Sequence, residues 1–237
     1  MTFTVVYDNN AYDPTLRTAW GFACWVETGE ATVLFDTGGN SAALLSNMAE
    51  LGLNPQAIDA VVLSHAHGDH TGGLAGLLDT GARPTVYVPA AFPVSFKADV
   101  RARTALVAVT VPIQISPGIY TTGEVGSRIV EQALVVETGA GSVVVTGCAH
   151  PGIIEMVHKG KEATASEVAL VLGGFHLGGA LKGQIEDIIA AFRRLGVQWV
   201  APCHCTGDQA RRMFVDAYGT DCTLAGVGWG GSMEPGE

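Results

Sequence analysis

Short apolar runs and stretches of helical periodicity alternate along the chain. β-branched apolar runs bounded by turn residues predict strands at 2–7, 20–27, 31–35, 61–63 and 85–88. Further strands are predicted at 128–137, 142–145, 167–172 and 197–200. Apolar residues at helical spacing predict helices at 41–51, 74–78, 152–159 and 181–195, the last having the most regular apolar stripe. This alternation is typical of an α/β protein.

Three further segments carry weaker signals. Residues 91–120 have no clear period and contain Lys97, Arg101 and Arg103, so a solvated irregular surface and an insertion that meets an anionic substrate both stay open. Thr206 is the candidate N-cap of the last helix, with Gln209 completing a capping box. The glycine-rich residues 226–237 favour a loose or partner-dependent tail.

Composition narrows the class of protein. The 237 residues are 48% hydrophobic and 15% charged, as expected of a well-buried globular protein of one large or two small domains. The net charge of −10 argues against a broad nucleic-acid surface. Neither a run of about 20 apolar residues nor a signal peptide is visible, and five scattered cysteines favour free thiols in a reducing compartment. We therefore expect a cytoplasmic protein that does not bind membranes.

The densest chemistry lies directly after the strand at 61–63. His65 and His67 are two residues apart, so both side chains leave the same face of an extended chain. Gly68 lets the backbone turn and brings Asp69 and His70 to a second nearby position. Imidazole is a common zinc ligand, and an added carboxylate widens the choice to iron or manganese. A metal site is favoured over a histidine-rich surface loop, because surface histidines are rarely packed this densely after a core strand.

The same arrangement recurs along the chain. Four apolar strands run into small residues and then a histidine, namely His67, His150, His176 and His204. Strands that end together deliver these side chains to one sheet edge, where open α/β architectures place their sites. The four placements together predict a shared metal centre. His158 lacks the pattern and is predicted to face solvent.

These residues resemble the metallo-β-lactamase superfamily. The resemblance rests on the His-x-His-x-Asp-His loop at 65–70, the Asp36-Thr37-Gly38 turn, His150 and His204, and it covers most of the chain. It implies an α/β (α+β) fold, a four-layer αββα sandwich of two mixed β-sheets flanked by helices. It also implies a single domain over 1–237, with two pseudo-repeated halves at about 1–115 and 116–237.

The resemblance further implies two divalent metal ions, with zinc first and iron or manganese as alternatives. By position, one ion would be held by His65, His67 and His150, and the second by Asp69, His70 and His204. Asp36 would orient a ligand histidine through its distal nitrogen.

One departure concerns the carboxylate that bridges the two metals in many members. Its place here reads Gly173-Gly174-Phe175-His176, so His176 is a ligand, a substrate contact or a packed side chain, and we favour a site role. Asp69 and His176 are the predicted catalytic residues. Cys203 and Cys205 flank His204, and because alternate strand residues face opposite ways, both are predicted to pack rather than to ligate. Cys148 is expected at the edge of the site, where a thiolate would suit zinc, although ligation by it is not preferred.

Residues 146–150, 173–177 and 202–207 resemble the branch that contains the dihydropterin–ribofuranosylaminobenzene phosphate synthases and several metal-dependent hydrolases. The predicted function is a metal-dependent hydrolase that uses a metal-activated water on a phosphorylated or ester-type small molecule. Two alternatives stay open, a pterin-type transferase and a non-catalytic metal-binding or sensor protein. A sensor would be expected to lose Asp69 or His70, and both are present. Nucleic acid is not an expected partner, and the oligomeric state is left open.

Overall fold

Two β-sheets packed face to face form the centre of the molecule. The computed structural model describes residues 1–235. The first sheet has the strand order β13-β1-β2-β3-β4-β5-β6. Its strands are β1 (Thr2–Asp8), β2 (Phe22–Glu27), β3 (Thr32–Phe35), β4 (Ala60–Val62), β5 (Thr85–Pro89), β6 (Leu106–Val109) and β13 (Gly230–Ser232). Pairing is antiparallel from β13 to β3 and parallel from β3 to β6.

The second sheet follows in the chain and is also mixed. Its strand order is β12-β11-β10-β9-β8-β7, and β10, β11 and β12 run parallel. These strands are β7 (Ile113–Ser116), β8 (Ile119–Thr121), β9 (Leu134–Thr138), β10 (Gly141–Thr146), β11 (Val168–Gly174) and β12 (Trp199–Cys203). The division of a single domain into halves at about residue 115 stays a prediction.

Helices cover the outer face of each sheet. They are α1 (Ser41–Glu50), α2 (Gly68–Thr71), α3 (Leu74–Asp79), α4 (Val94–Arg101), α5 (Ile153–Thr164), α6 (Lys182–Arg194) and α7 (Asp208–Tyr218), with 3-10 turns at Pro55–Ala57, His204–Thr206 and Gly219–Asp221. One apolar cluster lies between the sheets, and two others lie between a sheet and its helices. The predicted αββα sandwich is confirmed. Across residues 1–235, each helix is too short or too polar to cross a membrane.

The central strands are buried on both faces, which explains why their sequences read as continuous apolar runs. In β9, Leu134 and Val136 enter the core between the sheets, whereas Val135 packs against the helices. In β10, Val143 and Val144 divide in the same way. Because both faces of these strands are buried in apolar clusters, polar functional side chains are found at the ends of the strands.

Residues 91–120 and 226–235, whose sequences gave weak structural signals, form regular secondary structure or pack in the core. Residues 91–120 form α4, β6 and β7 and begin β8. The Arg103 guanidinium pairs with Asp79, and Lys97 Nζ donates a hydrogen bond to the carbonyl oxygen of Ala90. These contacts agree with the surface interpretation. The prediction of a loose tail is wrong for residues 226–235, because β13 pairs with β1 and Trp229 is 8% exposed in the core. Residues 236 and 237 of that prediction lie outside the described residues.

Two local predictions are also wrong. The strand expected at 128–137 begins only at Leu134, because residues 122–133 form an irregular crossing with a single bridge between Val125 and Glu131. Thr206 is not a helix cap: its hydroxyl accepts a hydrogen bond from Phe175 N at 3.1 Å, and α7 follows Gly207 instead. Thr206 therefore joins the ends of β11 and β12.

Candidate metal centre

The candidate centre lies where the carboxyl end of β4 meets the carboxyl ends of β10, β11 and β12. The loop after β4 carries His65 and His67, and α2 begins at Gly68. Gly147 allows the end of β10 to approach this loop, because an added Cβ there would lie 2.2 Å from Ser64 Oγ and 2.8 Å from Asp36 Oδ2. The two sheets thus bring distant parts of the chain to one edge.

The first group of donors contains His65, His67 and His150. Nε2 of His65 lies 3.0 Å from Nδ1 of His67, and the His150 ring centroid lies 4.8 Å and 5.0 Å from those of His65 and His67. The fully buried Glu131 contacts His150 Nδ1 and accepts a hydrogen bond from Ala149 N at 2.8 Å. Sequence reasoning missed Glu131, although an acid inside an apolar stretch was a usable signal.

The second group contains Asp69, His70 and His204 together with Cys148. Asp69 Oδ2 lies 3.5 Å from His70 Nε2 and 3.6 Å from His204 Nε2. Cys148 Sγ lies 3.2 Å from His70 Nε2 and 3.4 Å from His204 Nε2. Cys148 is therefore inside the group and not at its edge, where it was expected.

Buried polar side chains hold the distal nitrogens of the ligand candidates. Asp36 Oδ2 lies 2.7 Å from His70 Nδ1, and the same carboxylate accepts hydrogen bonds from Ser64 N and Ser64 Oγ, each at 2.7 Å. Asn9 Oδ1 lies 2.8 Å from His204 Nδ1. As predicted, Asp36 contacts the far side of a histidine in the loop. Such contacts fix the tautomer and leave the opposite nitrogen free to bind a metal.

The electrostatics of the group favour a bound cation. Burial lowers the pKa of His204 to about 3, and burial also holds the pKa of His65 well below its ordinary value. Burial opposes charge on His70 as well, but the neighbouring Asp36 carboxylate outweighs it and raises the pKa of His70 to about 10. His70 and its neighbours hold the pKa of Asp69 below its ordinary value against the effect of burial. The carboxylates that stabilise a proton on His70 would stabilise a metal ion in its place.

His176 and Cys205 lie beside the two groups. The ring of the exposed His176 has its centroid 4.4 Å from that of His150. Donor atoms of His176, Cys148 and Cys205 all lie within 4.8 Å of one another. Cys205 is buried but faces the site, because the chain leaves the extended conformation at His204 and strand alternation does not hold there. That it packs and does not ligate stays a prediction. Cys203 does pack in the core.

Two smaller predictions are confirmed. His158 is exposed on α5. All five cysteines lie within residues 1–235 and are free thiols.

The backbone turns sharply where the site residues leave their strands. Within residues 1–235, five non-glycine residues have positive φ, and four of them belong to the site. These four are Asp36 (57°), Ala149 (61°), His176 (52°) and His204 (46°). Left-handed backbone is uncommon outside glycine and is typical of functional loops.

The donor set fits a metal ion of the zinc type. Two nitrogens bound to one tetrahedral zinc lie about 3.3 Å apart, given Zn–N bonds of about 2.0–2.1 Å. His65 Nε2 and His67 Nδ1 are 3.0 Å apart, close to that separation. The roles of His65, His67, Asp69, His70, His150 and His204 as ligands, and of Asp69 and His176 in catalysis, stay predictions.

The fold and this cluster of donors define a metallo-β-lactamase-like protein. The sequence model of the Metallo-beta-lactamase superfamily matches residues 21–176. The chain therefore belongs to this superfamily, whose members are usually enzymes.

Named relatives refine the comparison. The chain is 31% identical to the 7,8-dihydropterin-6-methyl-4-(beta-D-ribofuranosyl)-aminobenzene-5'-phosphate synthase of Methanocaldococcus jannaschii, across 92% of each protein. The solved structure of Tm1679, a metal-dependent hydrolase of the beta-lactamase superfamily, aligns with TM-score 0.81 and 26% identity over 99% of both chains. YhfI from Bacillus subtilis aligns with TM-score 0.73 over 98% of this chain and 99% of its own, and at 15% identity it shows the shared fold alone.

Proposed function

We propose that the protein is a metal-dependent hydrolase of a phosphorylated or ester-type small molecule. The observation that carries the proposal is the convergence of imidazole and thiol donors from four strand ends of the two sheets, in groups whose donor atoms lie within 4.8 Å. The Asp69 carboxylate lies 3.5 Å from His70 Nε2 in the same place. A surface histidine cluster would not need buried carboxylates behind its rings. Here Asp36 and Glu131 are both fully buried and both contact ring nitrogens.

Two divalent ions, with zinc as the first choice and iron or manganese as alternatives, would be held by His65, His67 and His150 and by Asp69, His70 and His204. When bound, they would supply a Lewis acid that lowers the pKa of water and stabilises developing negative charge. Asp36 and Glu131 keep the ligand rings in a fixed tautomer. The exposed His176, next to His150, is positioned to exchange a proton with substrate at the rim.

A pterin-type transferase is the second candidate. The M. jannaschii relative, which matches across 92% of this chain, is named as a synthase whose product joins a dihydropterin to an aminobenzene ribosyl phosphate. One feature of the site favours a planar substrate: the exposed Trp20 indole has its ring centroid 4.9 Å from that of His204. An exposed aromatic ring at the rim offers a stacking surface to a pterin. The name of that relative adds support for a phosphorylated substrate, whichever reaction is catalysed.

The test compares Asp69→Ala with Asp187→Ala, which removes an exposed carboxylate of α6. We expect the wild-type protein to contain two metal ions per chain and to turn over a member of a panel of phosphodiesters, thioesters and lactones. Asp69→Ala should lose one ion and about 10²-fold or more in turnover, as for removal of a charge-stabilising group. Asp187→Ala should match the wild type. Full metal content and turnover in Asp69→Ala would contradict the scheme.

The two candidates are separated by a second assay. A dihydropterin pyrophosphate and an aminobenzene ribosyl phosphate are supplied together, and the coupled product is measured against simple hydrolysis. Coupling that weakens through a raised KM in Trp20→Ala would favour the transferase. Hydrolysis without coupling would favour the hydrolase. Metal binding with neither activity would favour a sensor protein.

A further inference from the structure

The thiol of Cys148 occupies the space that the two donor groups share. Its Sγ forms one group with donor atoms of His70 and His204, and another with those of His65 and His150, and within each group the atoms lie within 4.8 Å of one another. Cys148 is 4% exposed, so the thiol faces these donors and not solvent. No carboxylate follows β11, which ends at Gly174 and is followed by Phe175 and His176.

Two histidine Nε2 atoms are directed at this thiol, because other residues hold their Nδ1 atoms. His204 Nδ1 faces Asn9 Oδ1, and the Asn9 amide is oriented by its hydrogen bond to the carbonyl oxygen of His204 at 3.3 Å. The hydrogen of neutral His204 is therefore on Nδ1, and Nε2 presents a lone pair. His70 Nδ1 likewise donates to Asp36. Both Nε2 atoms are therefore turned toward Cys148 Sγ and Asp69 Oδ2, as in a set of metal ligands.

The separations of the thiol and the Asp69 carboxylate from the two histidine nitrogens fit a tetrahedral metal ion. For Zn–S of about 2.3 Å and Zn–N of about 2.0–2.1 Å, the separation of sulfur and nitrogen around one ion is about 3.5 Å. Cys148 Sγ lies 3.2 Å from His70 Nε2 and 3.4 Å from His204 Nε2. Asp69 Oδ2 lies 3.5 Å and 3.6 Å from the same two nitrogens. Each of these four separations is close to that expected around one tetrahedral ion.

We propose that Cys148 is a metal ligand, a thiolate that completes the site of Asp69, His70 and His204 and joins it to the site of His65 and His150. It takes the place of the carboxylate that is absent after β11. The thiol proton is released to solvent when the metal binds, as for other cysteine ligands. The proposal rests on the metal-binding part of the proposed function and does not depend on which reaction is catalysed.

The test measures the ligands of the bound metal and does not depend on enzymatic turnover. Cobalt(II)-loaded wild-type protein should show a near-ultraviolet sulfur-to-cobalt charge-transfer band, and zinc X-ray absorption should detect sulfur at about 2.3 Å. Both signals should vanish in Cys148→Ser and persist in Cys205→Ser and in Cys222→Ser, which changes a half-buried thiol next to the 3-10 turn at Gly219–Asp221. Metal affinity of Cys148→Ser should fall by more than about tenfold, the lower limit for residues that only orient ligands.

The outcomes are distinguishable. Metal uptake without sulfur in wild-type protein overturns the assignment of Cys148 and leaves the proposed function standing, and this measurement needs no variant. Loss of the sulfur signal in Cys205→Ser with its retention in Cys148→Ser also overturns it. A sulfur signal that depends on Cys148 in a protein without turnover supports the ligand and counts against the enzyme. Failure to take up metal overturns both.

Discussion

Gly147 is a position where one methyl group should directly disturb the candidate metal centre. An alanine Cβ there would lie 2.2 Å from Ser64 Oγ and 2.8 Å from Asp36 Oδ2, whereas ordinary contact begins at 3.4 Å. The φ of Gly147 is not in the positive region, so the conflict is one of space and not of backbone conformation. Ser64 must move by about 1 Å, an overpacking that costs about 1–3 kcal/mol in a packed interior.

The movement also breaks buried hydrogen bonds. Ser64 Oγ lies 2.7 Å from Asp36 Oδ2 and 2.8 Å from His65 Nδ1, and a buried polar group left without its partner costs about 1–3 kcal/mol. We therefore expect Gly147→Ala to lower the free energy of unfolding by about 2–4 kcal/mol. With a urea m-value of about 1–3 kcal/mol/M, the midpoint should fall by about 1 M or more.

The assay is urea unfolding of metal-free protein, which separates stability from metal binding. Gly183→Ala is the matched control, because an added Cβ at this helical glycine of α6 meets nothing within 4 Å. That variant should gain about 0.5–1 kcal/mol from the better helix propensity of alanine. A loss of less than about 0.5 kcal/mol in Gly147→Ala, the range of ordinary surface changes, would refute the reasoning.

Two further substitutions test the support of the site and the end of the chain. Asp36→Asn replaces an acceptor with an amide that donates to His70 Nδ1, which moves the ring hydrogen to Nε2, so metal affinity should fall about 10–100-fold in a chelator competition. Affinity equal to the wild type would contradict this role. Trp229→Ala removes a side chain that is 8% exposed and should cost about 3–5 kcal/mol in urea unfolding. Trp20→Ala, at 60% exposure, should change stability by less than about 0.5 kcal/mol, and equal effects would mean that the tail is not docked.

The histidines were predictable because their position follows from simple geometry. Buried parallel strands end at one edge of a sheet, so side chains directly after β10, β11 and β12 must lie near one another. His65 and His67 follow β4 of the other sheet, and their spacing of two residues places both side chains on the same face of the chain. Hydrophobic periodicity was therefore sufficient to identify the edge where the candidate metal ligands meet.

Contacts that depend on irregular backbone were not predictable in the same way. Glu131 reaches His150 from the irregular crossing before β9, whose path no periodicity describes. Cys205 was judged by strand alternation, but the chain turns at His204, where φ is +46°. Cys148 was placed at the edge because its sequence position says nothing about how closely β10 approaches the loop after β4.

The prediction of a loose tail was wrong for a different reason. β13 consists of Gly230, Gly231 and Ser232, which have low intrinsic strand preference. Its pairing is determined by the free hydrogen-bonding groups of β1 and by Trp229, which enters the core between the sheets. The composition of the tail itself does not show that β1 is available to pair with it.

The left-handed backbone of Asp36, Ala149, His176 and His204 has a consequence for how ions are recognised. Each such residue costs about 1–2 kcal/mol, and folding of the sheets meets that cost before any ion arrives. Capture of an ion then has little conformational entropy to remove. The centre should act as a rigid receptor, in which the fixed spacing of donor atoms, and not closure around the guest, selects among cations by size.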